Sequence, residues 1–269
     1  SDASRVPRSV ADVLAARIEA LPPERRETLR VAAVMGRLFW RSCVEAILGR
    51  PIDEDLRALE TAAMVFELGD SLFPAGGAQH IFKNELLREA AYRTLPEARL
   101  VELHAATWGY FAALDPQVVH DHPRLRLFAA HHAVEAGELR SAFTLYVQAG
   151  DQARAARSDL EALEAYAKAL ALGDRVAPLP AEWATERVAV LEKHALTLAD
   201  LRQFDEAEAE FERALNQVAG AEDRARLEAN IGALYGAQGK LRAATRHFRA
   251  GLEHLGRRSS PLAGRLKLD

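Results

Sequence analysis

The sequence contains very little cysteine. Cys43 is the only one among 269 residues, so neither an intrachain disulfide nor a thiolate metal site can form. It lies between Ser42 and Val44 in a short apolar segment. This position predicts a buried side chain rather than a catalytic nucleophile, because free cysteine is among the most buried residue types. A chain without disulfides fits the reducing cytoplasm, and we expect that location.

Long apolar runs, aromatic residues and net charge are also scarce. No apolar run approaches the roughly 18 residues that a membrane span requires, so no membrane partner is expected. Aromatic residues make up 7% of a chain that is 49% hydrophobic, a balance that favours helix-on-helix packing over a sheet sandwich. The formal net charge of -4 gives no overall field that would attract nucleic acid.

Motifs for nucleotide hydrolysis and for covalent catalysis are missing. The one pair of adjacent glycines, Gly76-Gly77, is not followed by Lys-Ser or Lys-Thr, so the chain has no phosphate-binding loop. No motif supplies a nucleophile, a base and an electrophile together. The sequence therefore predicts a chain that is not an enzyme and has no cofactor of its own.

One histidine cluster has the residue types of a metal site: His120, His122, His131 and His132. Adjacent residues on a helix point about 100° apart, so at most one of His131 and His132 could share a site with the first pair. No metal site is predicted.

Three segments share one pattern: an alanine, an aromatic residue four positions later, a small residue three positions further on, and then leucine. This spacing places the side chains on one helical face, where small residues let a neighbouring helix approach closely. The pattern resembles the tetratricopeptide repeat, which has two antiparallel helices in about 34 residues, and it implies binding rather than catalysis. The segments are Ala162-Tyr166-Ala169-Leu170, Ala207-Phe211-Ala214-Leu215 and Ala244-Phe248-Gly251-Leu252.

The repeat resemblance places seven residues on the face that usually binds a partner. Their charges are mixed in sign, which suits a protein or peptide, and they lack the Lys and Asn arrangement of repeats that clamp a C-terminal carboxylate. The alternative that these side chains only face solvent or an adjoining repeat stays open. The predicted partner-binding residues are Asp151, Arg154, Glu192, Leu196, Asp200, Arg226 and Asn230.

Helical periodicity covers most of the chain. Two extended runs, Val65–Leu68 and Gln79–Lys83, are joined by a glycine-containing loop and predict a β-hairpin, with Ser71–Phe73 as a further extended stretch. The segment from Gly173 to Pro180 predicts the main linker, and Asp115–Pro123 a weaker boundary. Helices are predicted at Val10–Leu21, Glu24–Met35, Ser42–Leu48, Asp53–Met64, Asn84–Leu95, Ala98–Leu114, 124–136, 138–156, 158–172, 181–201, 204–217, 222–237 and 240–255.

The order of several segments within residues 6–256 resembles one family. They are Leu14–Ile18, Leu21–Glu24, Val31–Arg37, Phe82–Tyr92 and Ala130–Gly137. This order is similar to the region that follows the nucleotide-binding core in bacterial STAND-class signalling ATPases, which are AAA-related. The resemblance implies a mainly α chain, with a winged-helix domain and small β-hairpin at 1–115 and a tetratricopeptide-like antiparallel helical solenoid at 116–269.

The same resemblance implies a role in signal transduction. In that class the winged helix packs on a nucleotide-binding domain of the same chain, the repeats receive a protein partner, and ATP or ADP binds elsewhere in the parent protein. Such proteins are often fused to nucleotide cyclase, protein kinase or LuxR-type output domains. Since the chain starts without Met, we expect it to be an excised piece of such a protein.

Asn84 departs from the family pattern. In these proteins a winged-helix histidine after the Phe-Lys pair can touch the phosphates of the bound nucleotide, whereas Phe82-Lys83 is followed here by Asn84. Asparagine can donate a hydrogen bond but carries no charge. Asn84 is therefore a candidate for nucleotide sensing, and the alternative is that it caps the helix beginning at Glu85.

A winged helix also raises the alternative of a fragment of a DNA-binding transcriptional regulator. The helix in the recognition position would be 53–64, and most of its charged residues are acidic and would repel phosphate. Nucleic acid is therefore not the expected partner. The charged residues are Asp53, Glu54, Asp55, Arg57 and Glu60.

Overall fold

The chain divides into two compact units, Ser1–Ala142 and Phe143–Asp269. A computed structural model describes residues 10–69, 77–176 and 181–256. Those residues are mostly helical, with one small sheet, so the predicted mainly α class is confirmed.

The described elements of the first unit alternate between helices and short strands. They are α1 (Val10–Glu19), α2 (Pro23–Met35), β1 (Leu38–Trp40), α3 (Arg41–Leu48), α4 (Asp53–Thr61), β2 (Val65–Leu68), β3 (Gln79–Phe82), α5 (Glu85–Arg93), α6 (Glu97–Ala112), α7 (Pro116–Asp121) and α8 (Pro123–Glu135). Helix α9 (Leu139–Ala155) contains the boundary between the units. The second unit continues with α10 (Asp159–Arg175), α11 (Ala181–Asp200), α12 (Phe204–Leu215), α13 (Ala221–Ala237) and α14 (Leu241–His254).

Helix α2 forms the centre of the first unit because its second half is a continuous apolar run. Pro23 lies in its first turn, where the missing N–H costs no helical hydrogen bond. Every side chain from Val31 to Met35 is buried, and α2 packs against α3, α4, α5 and α6. A helix that is apolar on all sides is buried on all sides.

The three strands form one antiparallel sheet in the order β1-β3-β2. The predicted hairpin is confirmed, since Val65 of β2 pairs with Phe82 of β3 and both are buried. The sequence does not predict β1, because three residues directly before a helix show no alternation of polar and apolar side chains. The predicted extended stretch Ser71–Phe73 and the loop residue Gly76 lie outside the described residues.

Helix α4 ends earlier than the sequence predicts. It stops at Thr61 instead of Met64, because Ala63 has a left-handed φ of 51°, which a helix cannot continue. This turn leads the chain directly into β2.

Two predicted connections contain helix. The boundary predicted at 115–123 holds the short helix α7, which Asp115 caps by accepting a hydrogen bond from the Gln117 backbone N–H at 2.9 Å. Gly173, the predicted start of the main linker, is inside α10, which continues to Arg175. The remainder of that linker, residues 177–180, lies outside the described ranges.

Helix α8 packs with the first unit. Phe128 and His132 of α8 contact the rings of Trp40, Phe111 and His104. These contacts explain why α8 belongs to the first unit, which extends to Ala142. The predicted domain boundary between residues 115 and 116 concerns the order of motifs and stays a prediction.

Two buried histidines contact each other in the core of the first unit. His104 Nδ1 and His132 Nδ1 are 2.9 Å apart, and the Tyr92 hydroxyl lies 3.1 Å from His104 Nε2. One nitrogen of the pair must donate and the other must accept, so at least one of the two rings must be neutral. Burial lowers the pKa of both histidines, and the neighbouring imidazoles lower it further.

We expect this histidine pair to make the first unit sensitive to acid. The unfolded chain takes up protons below the ordinary histidine pKa of about 6.5 whereas the folded pair does not, so stability falls as the pH drops below that value. The slope is at most about 1.4 kcal/mol per pH unit for each histidine. Urea unfolding between pH 7 and pH 5 should therefore show a shallower pH dependence in the variant His104→Leu with His132→Leu than in the wild type. His254→Gln, in α14 of the other unit, is the control, and equal slopes in all three proteins would contradict the expectation.

The repeat pattern lies in the core of the second unit. Ala162 and Tyr166 of α10 are buried, as are Ala207 and Phe211 of α12. Phe248 of α14, the corresponding ring in the third segment, is 44% exposed. Consecutive helices from α10 to α14 pack against one another, so this unit is a tetratricopeptide-like helical solenoid.

Small residues permit the close helix contacts that the pattern predicts. A Cβ added at Gly150 of α9 would lie 2.5 Å from the ring of Tyr166, and one at Gly232 of α13 would lie 2.7 Å from the ring of Phe248. Each ring therefore occupies the space that a side chain would fill on the facing helix.

Candidate protein-interaction site

The second unit contains a cavity of about 340 Å³ between α11, α12 and α13. Apolar side chains form most of its wall, and three polar side chains join them. This is the composition of a site that accepts an apolar group and orients it with a few hydrogen bonds. The lining residues are Leu196, Ala199, Phe204, Phe211, Ala233, Leu234 and Ala237, with Asp200, Arg202 and Asn230.

Three of the seven predicted partner-binding residues line this cavity: Leu196, Asp200 and Asn230. They come from two helices, α11 and α13, which lie side by side at this cavity. Asn230 donates a hydrogen bond from Nδ2 to Glu192 Oε1 at 2.7 Å. Its amide is therefore held in place at the cavity wall.

Three more of the predicted residues, Arg154, Glu192 and Arg226, form ion pairs beside the cavity. Arg154 Nη2 lies 3.1 Å from Asp200 Oδ2, and Arg226 Nε lies 3.0 Å from Glu192 Oε2. Although burial acts to lower it, Glu192 and the nearby Asp223 hold the pKa of Arg226 above its ordinary value. Each ion pair therefore links α11 to another helix, Arg154 from α9 and Arg226 from α13.

Asp151 stands apart from the cavity. Its carboxylate accepts hydrogen bonds from Lys193 Nζ at 2.7 and 2.8 Å and from the Tyr166 hydroxyl at 2.7 Å. Burial, with help from Asp151, raises the pKa of Tyr166. Asp151 therefore joins α9 to α10 and α11, and its predicted role in partner binding stays a prediction.

Sequence reasoning misses the turn that supplies one side of the cavity. Arg202 has a left-handed φ of 63°, and the Gln203 N–H donates to the Leu198 carbonyl at 2.9 Å to close the end of α11. An equivalent backbone hydrogen bond ends α13, where Gly239 is the residue with the left-handed φ. Because glycine is the usual signal for this turn, the sequence gives no sign of it at Arg202.

Asn84 is an N-cap in the structure. Its side chain accepts a hydrogen bond from the Leu87 backbone N–H at 2.8 Å, at the start of α5. This is the alternative that the sequence offers for Asn84. Nucleotide sensing by the same residue stays a prediction.

The prediction for the helix in the recognition position was wrong for Asp55. The sequence assigns it to an exposed acidic face, but Asp55 is 6% exposed and accepts hydrogen bonds from Thr28 and Arg50. Glu54 and Arg57 are exposed on α4, and Asp53 and Glu60 are half-buried. The exposed charge on this helix is therefore more balanced than the sequence suggests.

The predicted burial of Cys43 is confirmed, and burial raises the pKa of its thiol. In the histidine cluster, the rings of His131 and His132 contact His104, which the sequence does not indicate. The side chain of His120 lies outside the described residues. Within the described ranges no helix is both long and apolar enough to cross a bilayer.

Comparison with known proteins gives similarity in structure but not in sequence. No protein-family model matches the chain, and no curated protein matches it. Two similar structures, each 16% identical, are MamA (TM-score 0.36, 60% of this chain and 93% of MamA) and BtubC from P. vanneervenii (TM-score 0.35, 68% of this chain and 80% of BtubC).

A third similar structure comes from Pyrococcus horikoshii. It is a signal transduction ATPase with numerous domains that carries a tetratricopeptide repeat sensor. It is 10% identical over 93% of this chain, with a TM-score of 0.40. The chain spans 47% of that protein.

Proposed function

We propose that this chain is a non-catalytic interaction module of a larger STAND-class signalling ATPase. In this proposal the second unit receives a protein or peptide partner at the cavity between α11, α12 and α13. The main support for this proposal is that Leu196, Asp200 and Asn230 line one cavity with an apolar wall. An apolar side chain of the partner would enter the cavity, and the polar groups at its wall would orient the backbone around it.

We further propose that the first unit is a winged-helix domain that packs on the nucleotide-binding domain of the same protein. The order of its sequence motifs and its small antiparallel sheet support this proposal. Nucleotide would belong to the parent protein, with Asn84 as the residue nearest to it, and the protein would act in the cytoplasm. A partner that prefers one arrangement of the parent protein would shift it toward that arrangement, by no more than the difference in affinity.

The test of this proposal is a substitution that fills the cavity without disturbing the core. Ala233 is an exposed residue of α13 that lines the cavity. We expect Ala233→Trp to lower retention of the partner at least tenfold in affinity capture from the source organism, because the indole occupies the space that the partner needs. The bound proteins are to be quantified by mass spectrometry.

The control makes the same substitution at another exposed alanine. Ala209 of α12 does not line the cavity, so Ala209→Trp should retain the same proteins as the wild type. If Ala233→Trp and Ala209→Trp retain them equally, the cavity is not the binding site.

A further inference from the structure

Three side chains of the first unit converge beside the hairpin. Glu67 of β2 and His80 of β3 are directly opposite each other in the strand register. Glu60 is in the last turn of α4, just before the chain enters β2. One nitrogen or oxygen atom from each residue lies within 4.8 Å of the other two. This is a mixed set of two carboxylates and one imidazole.

The distance between Glu60 and His80 suits shared ligation better than direct hydrogen bonding. His80 Nε2 lies 3.5 Å from Glu60 Oε1, whereas a charge-assisted hydrogen bond is about 2.7–2.9 Å long. The pair formed by His247 Nδ1 and Glu228 Oε2 shows that shorter distance, 2.7 Å. Ligand atoms about 2.05 Å from a tetrahedral Zn²⁺ are about 3.3 Å from one another, close to the separation seen for Glu60 and His80.

One carboxylate oxygen of this group lacks a hydrogen bond. In the described residues, Glu60 Oε1 is buried without one, and it faces His80 Nε2 at 3.5 Å. His80 is 2% exposed, and its ring is stacked on Phe39 with the ring centres 5.4 Å apart. A buried carboxylate oxygen without a partner is costly, so the arrangement is more stable with a ligand bound there.

The charges of the group also lack compensation. No arginine or lysine among the described residues forms an ion pair with Glu60 or Glu67, and the nearby Arg41 pairs with Glu45 and Asp53. Beside these two carboxylates, the imidazole of His80 has a ring nitrogen that can offer a lone pair to a cation.

We propose that Glu60, Glu67 and His80 bind a divalent metal ion of the zinc class, with water completing the coordination. Two carboxylates balance the charge of such an ion, and the nitrogen ligand favours it over Mg²⁺ or Ca²⁺, which prefer oxygen. The ion would join α4 to both strands of the hairpin. It would stabilise the folded first unit, because it binds the assembled site and not the separated residues.

The full chain, freed of metal with a chelator, tests this proposal by calorimetric titration with Zn²⁺ and in parallel with Mg²⁺. We expect one zinc site whose affinity falls at least tenfold in Glu67→Gln, while Mg²⁺ binds far more weakly. Glu67 is exposed, so this variant removes a ligand without opening the core. His80→Gln should lose the site as well.

Glu228→Gln is the matched control, since it removes the carboxylate of the other close histidine pair and should leave zinc binding unchanged. Zinc binding should also raise the melting temperature of the wild type and of Glu228→Gln, but not that of Glu67→Gln. The proposal is overturned if the wild type binds no zinc, or if Glu67→Gln binds zinc as tightly as the wild type.

Discussion

Replacing Gly150 by alanine should destabilise the second unit by about 1–3 kcal/mol, the usual cost of an overpacked core. The added Cβ would lie 2.5 Å from the ring of Tyr166, a separation that forces one of them to move. The ring cannot move easily, because Tyr166 is fully buried and its hydroxyl donates to Asp151 Oδ1 at 2.7 Å. Native-state hydrogen exchange, resolved by peptide, measures the unfolding free energy of the second unit separately from the first.

Gly236 provides the control for Gly150 because it is also helical and belongs to the same unit. A Cβ added there would meet nothing within 4 Å. Gly236→Ala should therefore stabilise α13 by up to about 1 kcal/mol, the difference in helix propensity. If both substitutions change stability in the same direction, the close contact between α9 and α10 is not what makes Gly150 necessary.

Replacing Arg50 by methionine should destabilise the first unit by about 2–3 kcal/mol. Asp55 Oδ2 accepts hydrogen bonds from Arg50 Nη1 at 2.8 Å and from Thr28 Oγ1 at 2.7 Å. Without Arg50 the Asp55 carboxylate stays buried with a single hydroxyl partner, and breaking a buried pair costs about 3–5 kcal/mol. We place the effect below that range because the Arg50 side chain is 32% exposed and solvent screens the pair.

Arg57→Met is the control for Arg50→Met. Arg57 is exposed on α4, the helix that carries Asp55, and its replacement should change the unfolding free energy by less than about 0.5 kcal/mol. Urea unfolding of the three proteins at pH 7 makes the comparison. Similar losses in both variants would mean that positive charge near α4, rather than the contact with Asp55, stabilises the unit.

The repeat helices could be predicted from sequence because their signal is local. The alanine and the aromatic ring of each segment are four residues apart, so a single helical turn brings them together. Features that depend on distant contacts could not be predicted. Strand β1 forms only because β3 lies beside it, and the contact between His104 and His132 joins residues 28 positions apart.

The charged residues of the candidate sites could not be placed from sequence for the same reason, because their positions depend on distant contacts. Sequence reasoning treats Asp55 as exposed because aspartate usually is, and its partner Thr28 belongs to another helix. Leu196, Asp200 and Asn230, which the repeat register selects, line the cavity, whereas the position of Arg202 depends on an unusual turn. Glu60, Glu67 and His80 meet only when the hairpin folds beside α4, so no spacing in the sequence marks them as a group.

Photo-crosslinking in cells of the source organism tests the central claim most directly. The crosslinking amino acid p-benzoylphenylalanine is placed at Ala233, inside the cavity wall, or at Ala209, an exposed position outside it. The proposed function predicts a discrete crosslinked partner with the probe at Ala233 and none with the probe at Ala209. Crosslinks of equal yield at both positions, or at Ala209 alone, would contradict partner binding at this cavity.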